Sequence, residues 1–147
     1  MKQVLKYFLV ACSVLILVTP SFGKSGPDKA IDVAKYKGSK ITIGTEGGTA
    51  KIRDEKIILH SGQVYEHDVV KNEYKYLKTL SGKDARRVFS MFDGAAKSSF
   101  NHPGTSSSFV QQDHNGDISY YYIWGEEGVE VPEYVLSGYT EILKIIR

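Results

Sequence analysis

The chain has 147 residues, 41% hydrophobic and 24% charged, a length that suits one domain and a composition that excludes a disordered tail or a membrane channel. Its formal charge of +2 comes from Lys2 and Lys6, which lie in an acid-free N-terminal segment; the rest carries 17 basic and 17 acidic residues. That balance removes the usual electrostatic reason to expect nucleic acid or an anionic membrane as partner.

Residues 1–23 read as a signal peptide. Lys2 and Lys6 form the basic start, Tyr7 to Val18 the apolar run, and Thr19-Pro20 a break before Ser21-Phe22-Gly23. Small residues at Ser21 and Gly23 suit a signal peptidase cutting between Gly23 and Lys24. The run of twelve residues falls short of the about 20 that a spanning helix needs. Leu9-Val10-Ala11-Cys12 offers an alternative, a bacterial lipoprotein cut with lipidation of Cys12. Either route takes the chain out of the cytoplasm, so a secreted or periplasmic address is expected, with a lipid anchor at Cys12 as the alternative. Cys12 is the sole cysteine. A chain cut after Gly23 has no disulfide to support it and relies on its core.

Residues 24–39 mix Gly, Pro and Lys around weak apolar positions and read as a flexible leader with at most one helical turn. A single domain is expected over 40–147. Ile41 and Ile43 alternate with polar neighbours as a strand, and Gly47-Gly48 supplies a tight connection. Lys51 to His60 carries β-branched Ile52, Ile57 and Ile58, although Arg53-Asp54-Glu55-Lys56 leaves helix open as an alternative. Gln63 to Val70 and a segment through Tyr74, Tyr76 and Leu77 follow, separated by turns at Ser61-Gly62 and Lys71-Asn72. These segments predict an antiparallel meander of three or four strands.

Ser81 is an N-cap with Asp84 in the first turn, ahead of a helical stripe of Ala85, Val88, Phe89 and Phe92 that Gly94 ends. Residues 97–108 have no periodicity and read as a long loop, a common place for binding surfaces. Asn115-Gly116 is the preferred pair for a two-residue hairpin turn. With His114 facing Asp117, the expected register pairs Gln112 with Ser119, Val110 with Tyr121 and Phe109 with Tyr122. It also sets Ile118, Tyr120, Tyr122 and Trp124 on one face. After Pro132, residues Val135, Leu136, Tyr139, Ile142, Leu143 and Ile146 form the stripe of a closing helix over 133–146. The fold class is therefore α+β, an antiparallel sheet of about five to six strands with two helices packed on one face.

The chemistry-bearing residues assemble into no recognisable set. His60, His67, His102 and His114 lack the spacing of a metal site. Asp113, Asn115 and Asp117 imitate the start of a calcium loop, but Ile118 stands where glycine is required and Trp124 where a bidentate acid is. No nucleophile elbow surrounds Ser106-Ser107-Ser108, and adjacent Glu126 and Glu127 are poorly placed to flank a sugar. No cofactor or metal is expected. Aromatic content is high, with 10 Tyr, 6 Phe and one Trp, and Tyr and Trp are good anchors for a protein partner. The residues singled out for contact are Asn101, His102, Pro103 and Gly104 in the loop and Tyr120, Tyr122 and Trp124 on the hairpin.

The run Ile41-Thr42-Ile43-Gly44-Thr45-Glu46-Gly47-Gly48, with a later helix–strand–strand–helix order, resembles the opening of emfourin-type inhibitors of thermolysin-like metalloproteases. The Gly-Gly start, Pro103-Gly104 and Ile123-Trp124-Gly125 are also similar to features of exported Bacteroidota proteins. The resemblance spans roughly 40–146 in order of elements. Thr49 departs from it, since these families usually continue with an aromatic residue and another glycine, and no inhibitory residue carries over. The expectation is a non-enzymatic domain that binds another exported protein, a protease among the candidates. The alternatives are a small-ligand or glycan binder using an open face of Tyr120, Tyr122 and Trp124, and a hydrolase with His102 or His114 near a serine and a carboxylate.

Overall fold

The computed structural model describes residues 31–48, 52–93 and 99–147. The expected signal segment, its cut at Gly23–Lys24, Cys12, Thr49 and Gly94 lie outside the described residues.

Alternating β-branched residues build the first half of the fold. Strands β1 (Ser39–Gly47), β2 (Ile52–Leu59), β3 (Gln63–Asp68) and β4 (Glu73–Thr79) follow one another and pair antiparallel in sequence order. Strand, not helix, is the outcome over 52–59, because Ile57 and Ile58 pair with Tyr65 and Val64 on β3. Helix α1 (Gly82–Ser90) begins at the expected cap. Ser81 Oγ accepts the Asp84 N–H at 3.1 Å and donates to Asp84 Oδ2 at 2.7 Å, an arrangement contributing about 1 kcal/mol.

The second half adds β5 (Ser99–His102), β6 (Ser106–His114), β7 (Asp117–Trp124) and helix α2 (Glu133–Ile146). The seven strands form one sheet in the order β4-β3-β2-β1-β6-β7-β5, one strand more than the upper expectation. The extra strand is β5, which lies within the segment read as a loop over 97–108 and runs parallel to β7. The sheet is therefore mixed. A four-residue strand needs no alternation of its own when β7 supplies the ladder.

The β6–β7 turn is as expected, with Asn115 at φ 52° and Gly116 at φ 91°, the left-handed pair of a type I′ turn. The register beyond it is corrected. His114 faces Asp117 and Asp113 faces Ile118, but a bulge then omits Ser119, so Gln112 pairs with Tyr120, Val110 with Tyr122 and Phe109 with Ile123. One extra residue on β7 shifts every later partner by one. It also separates Ile118, 59% exposed, from the buried row of Tyr120 and Tyr122.

Successive strand residues point to opposite faces, so Ile58 and its neighbours Ile57 and Leu59 enter different clusters. The larger cluster joins Ile41, Ile43, Ile58, Val64, Val110, Tyr120 and Tyr122 to Ala85 and Val88 of α1 and to Val135, Ile142 and Ile146 of α2. Leu136, expected in the α2 stripe, is instead exposed. The buried face centres on Gly138, where a Cβ would stand 2.6 Å from the Phe92 ring. The second cluster sets Ile57, Leu59 and Tyr65 under Val33, which belongs to a 3₁₀ turn, Val33–Lys35. Part of the segment read as a flexible leader over 24–39 therefore lies against the sheet.

Candidate partner-binding site

Three short glycine motifs, far apart in the chain, meet at one end of the sheet. A Cβ on Gly104 would stand 1.9 Å from the Gly125 carbonyl oxygen. One on Gly125 would stand 2.2 Å from the Ser106 oxygen, and one on Gly47 would stand 2.4 Å from the Thr105 oxygen. Backbone rests directly on backbone at each point, which no larger residue permits. Hydrogen bonds fix the same junction. Gly48 N–H donates to Thr105 O at 2.7 Å, Gly104 N–H donates to Ser107 Oγ at 3.0 Å, and Glu126 N–H donates to His102 O at 3.0 Å. Ser107 is buried, whereas Asn101, Pro103, Gly104, Thr105 and Ser106 are exposed. The outcome is a rigid frame presenting an exposed turn.

The His102 ring is half-buried and packs on Phe100, ring centroids 4.6 Å apart. Its Nδ1 faces Glu126 Oε2 at 2.9 Å, so the ring ties the end of β5 to the loop after β7. The sequence pattern alone gives Glu126 no such role, since its partner lies 24 residues earlier in the chain. Of the residues singled out beforehand, Asn101, His102, Pro103 and Gly104 thus lie together at this end, and Trp124 is close by, half-buried and edge-on to Tyr139 at 4.9 Å.

Tyr120 and Tyr122 require correction. They are 3% and 1% exposed and pack against Phe92 of the core at 4.8 and 5.7 Å, so neither offers surface to a partner. Alternation predicts the shared face, but Phe92 packs on both rings and Tyr134 of α2 meets Tyr122 edge-on at 6.0 Å. An open aromatic face for a glycan is absent at these two positions. Burial pushes the Tyr120 phenol well above the ordinary tyrosine range, with the neighbouring Tyr122 and Asp93 adding to it.

A second polar assembly, which sequence reasoning missed, lies around β2 and β3. Arg53 Nε meets Glu55 Oε2 at 2.6 Å, and Nη1 meets Glu46 Oε2 at 3.1 Å. The guanidinium lies 4.3 Å over the Phe109 ring. Because Arg53 is on β2 and Phe109 on β6, the side chain crosses β1. It does so beside Gly44, which pairs with both Glu55 and Phe109 and places no side chain between them. His67 Nδ1 contacts Glu55 Oε1 at 2.5 Å, and Nε2 contacts Asn72 Oδ1 at 3.2 Å, while Tyr74 stacks on the ring at 4.2 Å. Burial, helped by the Glu55 and Asp32 carboxylates, raises the Tyr74 phenol above its ordinary range.

Beside this assembly a cavity of about 710 Å³ is lined by Arg53, Lys71 and Lys75 and also by Asp54, Glu66, Asp68 and Glu73. Mixed signs select no ligand charge. Arg53 and His67 share the Glu55 carboxylate and also hold Glu46 and Asn72, as a structural network does.

The hydrolase criterion is met by neither histidine among the described residues. His114 Nδ1 has Ser39 Oγ at 3.0 Å without a carboxylate, and His102 has Glu126 without a serine. Among the described residues no three or more His, Cys, Asp or Glu side chains are grouped to hold a metal, and no helix is long and apolar enough to cross a membrane. No protein-family model, curated protein or solved structure matches the chain.

Proposed function

We propose that this chain is an exported, non-enzymatic domain that binds another exported protein through the exposed turn at 101–106. In this reading both helices lie on one face of the sheet as backing, an arrangement supported by the cluster that α1 and α2 share with β1, β6 and β7. The observation that carries the proposal is the glycine frame: Gly47, Gly104 and Gly125 hold an exposed run in one conformation. A turn whose backbone is already fixed loses less freedom on binding, a saving of about 1–2 kcal/mol for each residue that need not be newly ordered. A protease is the finer identity of the partner, drawn from the resemblance to emfourin-type inhibitors.

The test is capture from the extracytoplasmic fraction on the immobilised protein, with a Pro103→Lys/Thr105→Lys variant as control and peptidase activity assayed alongside. The expected result is a protein retained by the wild type, at least about tenfold less by the variant, and a peptidase slowed only by the wild type. Equal retention by both proteins contradicts binding at this turn. Retention without any slowed peptidase removes the protease and leaves the binding.

A further inference from the structure

The two edges of the sheet differ in the groups they present. β4 is seven residues long and carries Lys75 and Lys78; Lys75 pairs with Glu66, and lysines on an edge discourage further strands. β5, at the other end of the sheet order, reads Ser-Phe-Asn-His and holds no lysine, arginine or acid. Its backbone orientation follows from one hydrogen bond. His102 O accepts from Glu126 N–H, so the His102 peptide groups face β7. A strand's peptide groups alternate sides from residue to residue, so those of Asn101 and Ser99 face outward. Among the described residues nothing pairs with them, and both residues are exposed.

We infer that β5 accepts an extended segment of the partner protein as an eighth strand, paired through the outward peptide groups of Ser99 and Asn101. This rests on the protein-binding reading and gives it a chemistry: main-chain pairing supplies the attachment, and alternate side chains supply the selectivity. Phe100, half-buried against the core, and His102 stand on one side of the edge, so the segment places an apolar residue beside Phe100. A second copy of this chain fits the edge poorly. Two four-residue strands meeting alone fall far short of the about 1,200 Å² that stable interfaces bury. A partner segment running on over Pro103, Thr105 and Ser106 covers the strand and the turn together.

A displayed library of linear twelve-residue peptides, selected on the full chain, tests this with two substitutions at one position. Asn101→Pro deletes an N–H that faces away from β7, so the ladder stays intact; Asn101→Ala keeps that N–H and removes the side chain. The expected outcome is selected peptides that share an apolar position, bind Asn101→Pro at least about tenfold more weakly than wild type, and bind Asn101→Ala within about threefold. Both variants should keep the wild-type thermal midpoint, and peptide should slow exchange of the Asn101 amide proton. Equal losses in both variants, or none in Asn101→Pro, overturn strand addition. Peptides lost only with Pro103→Lys/Thr105→Lys overturn it too but leave binding at the turn standing. Selection of no peptide overturns it, as does a wild-type dimer in sedimentation that Asn101→Pro dissolves.

Discussion

Tyr120 carries its hydroxyl into the core, where among the described residues it has no hydrogen-bond partner, a desolvation that costs about 1–3 kcal/mol. Tyr120→Phe removes the cost and keeps the ring packed on Phe92, so its urea midpoint at pH 7 should equal or exceed that of the wild type. The raised phenol adds a pH effect. The folded state holds its proton where the unfolded chain has lost it, so the contribution is complete below about pH 10 and declines as pH rises, by about 1.4 kcal/mol per pH unit. Unfolding curves at pH 9.5 and 11 should show a smaller alkaline loss for Tyr120→Phe than for wild type; equal losses would show that Tyr120 is not responsible. Alternation correctly put Tyr120 and Tyr122 on one face, but it does not say which face is buried. Gly104 is the other decisive residue. Gly104→Ala sets a methyl 1.9 Å from the Gly125 oxygen, so chemical denaturation should register a loss of about 1–3 kcal/mol as the turn shifts.

Elements with a strong local signal were legible: the β1–β4 meander from its alternating isoleucines, α1 from the Ser81 cap, the hairpin from Asn115-Gly116, α2 from its stripe. Those set by distant partners were not. β5 has four residues and takes its strand character from β7, and the bulge at Ser119 leaves no mark on the pattern of Ile118 to Trp124. The Val33–Lys35 turn is a third case. Its hydrogen bonds and ion pair among the described residues are internal, Lys35 with Asp32 and Tyr36 with Val33, and Val33, 4% exposed, holds it to Ile57, Leu59 and Tyr65 through apolar contact. Val33→Asp should therefore release this segment while the sheet stays folded. Trypsin cleavage at Lys35 or Lys37 should accelerate at least about tenfold with little change in the global thermal midpoint. Unchanged cleavage would mean that the turn is held by other contacts.

Across the whole molecule, Gly47-Gly48, Pro103-Gly104 and Trp124-Gly125 are separated in sequence by more than 50 residues at one interval and by about 20 at the other, yet they converge at one end of the sheet. The glycines and the Asn101–Gly104 stretch were visible as motifs; their meeting depends on β1, β6, β7 and β5 being neighbours, which periodicity does not encode. The β3–β4 turn, with Val70 almost fully exposed, lies at the other side of the sheet order and shows no comparable glycine frame among the described residues. A photo-crosslinking amino acid placed at Pro103, and separately at Val70, in producing cells compares the two turns directly. The account predicts a discrete higher-mass adduct from position 103 and none from position 70. Adducts of equal yield from both positions, or from position 70 alone, would contradict it.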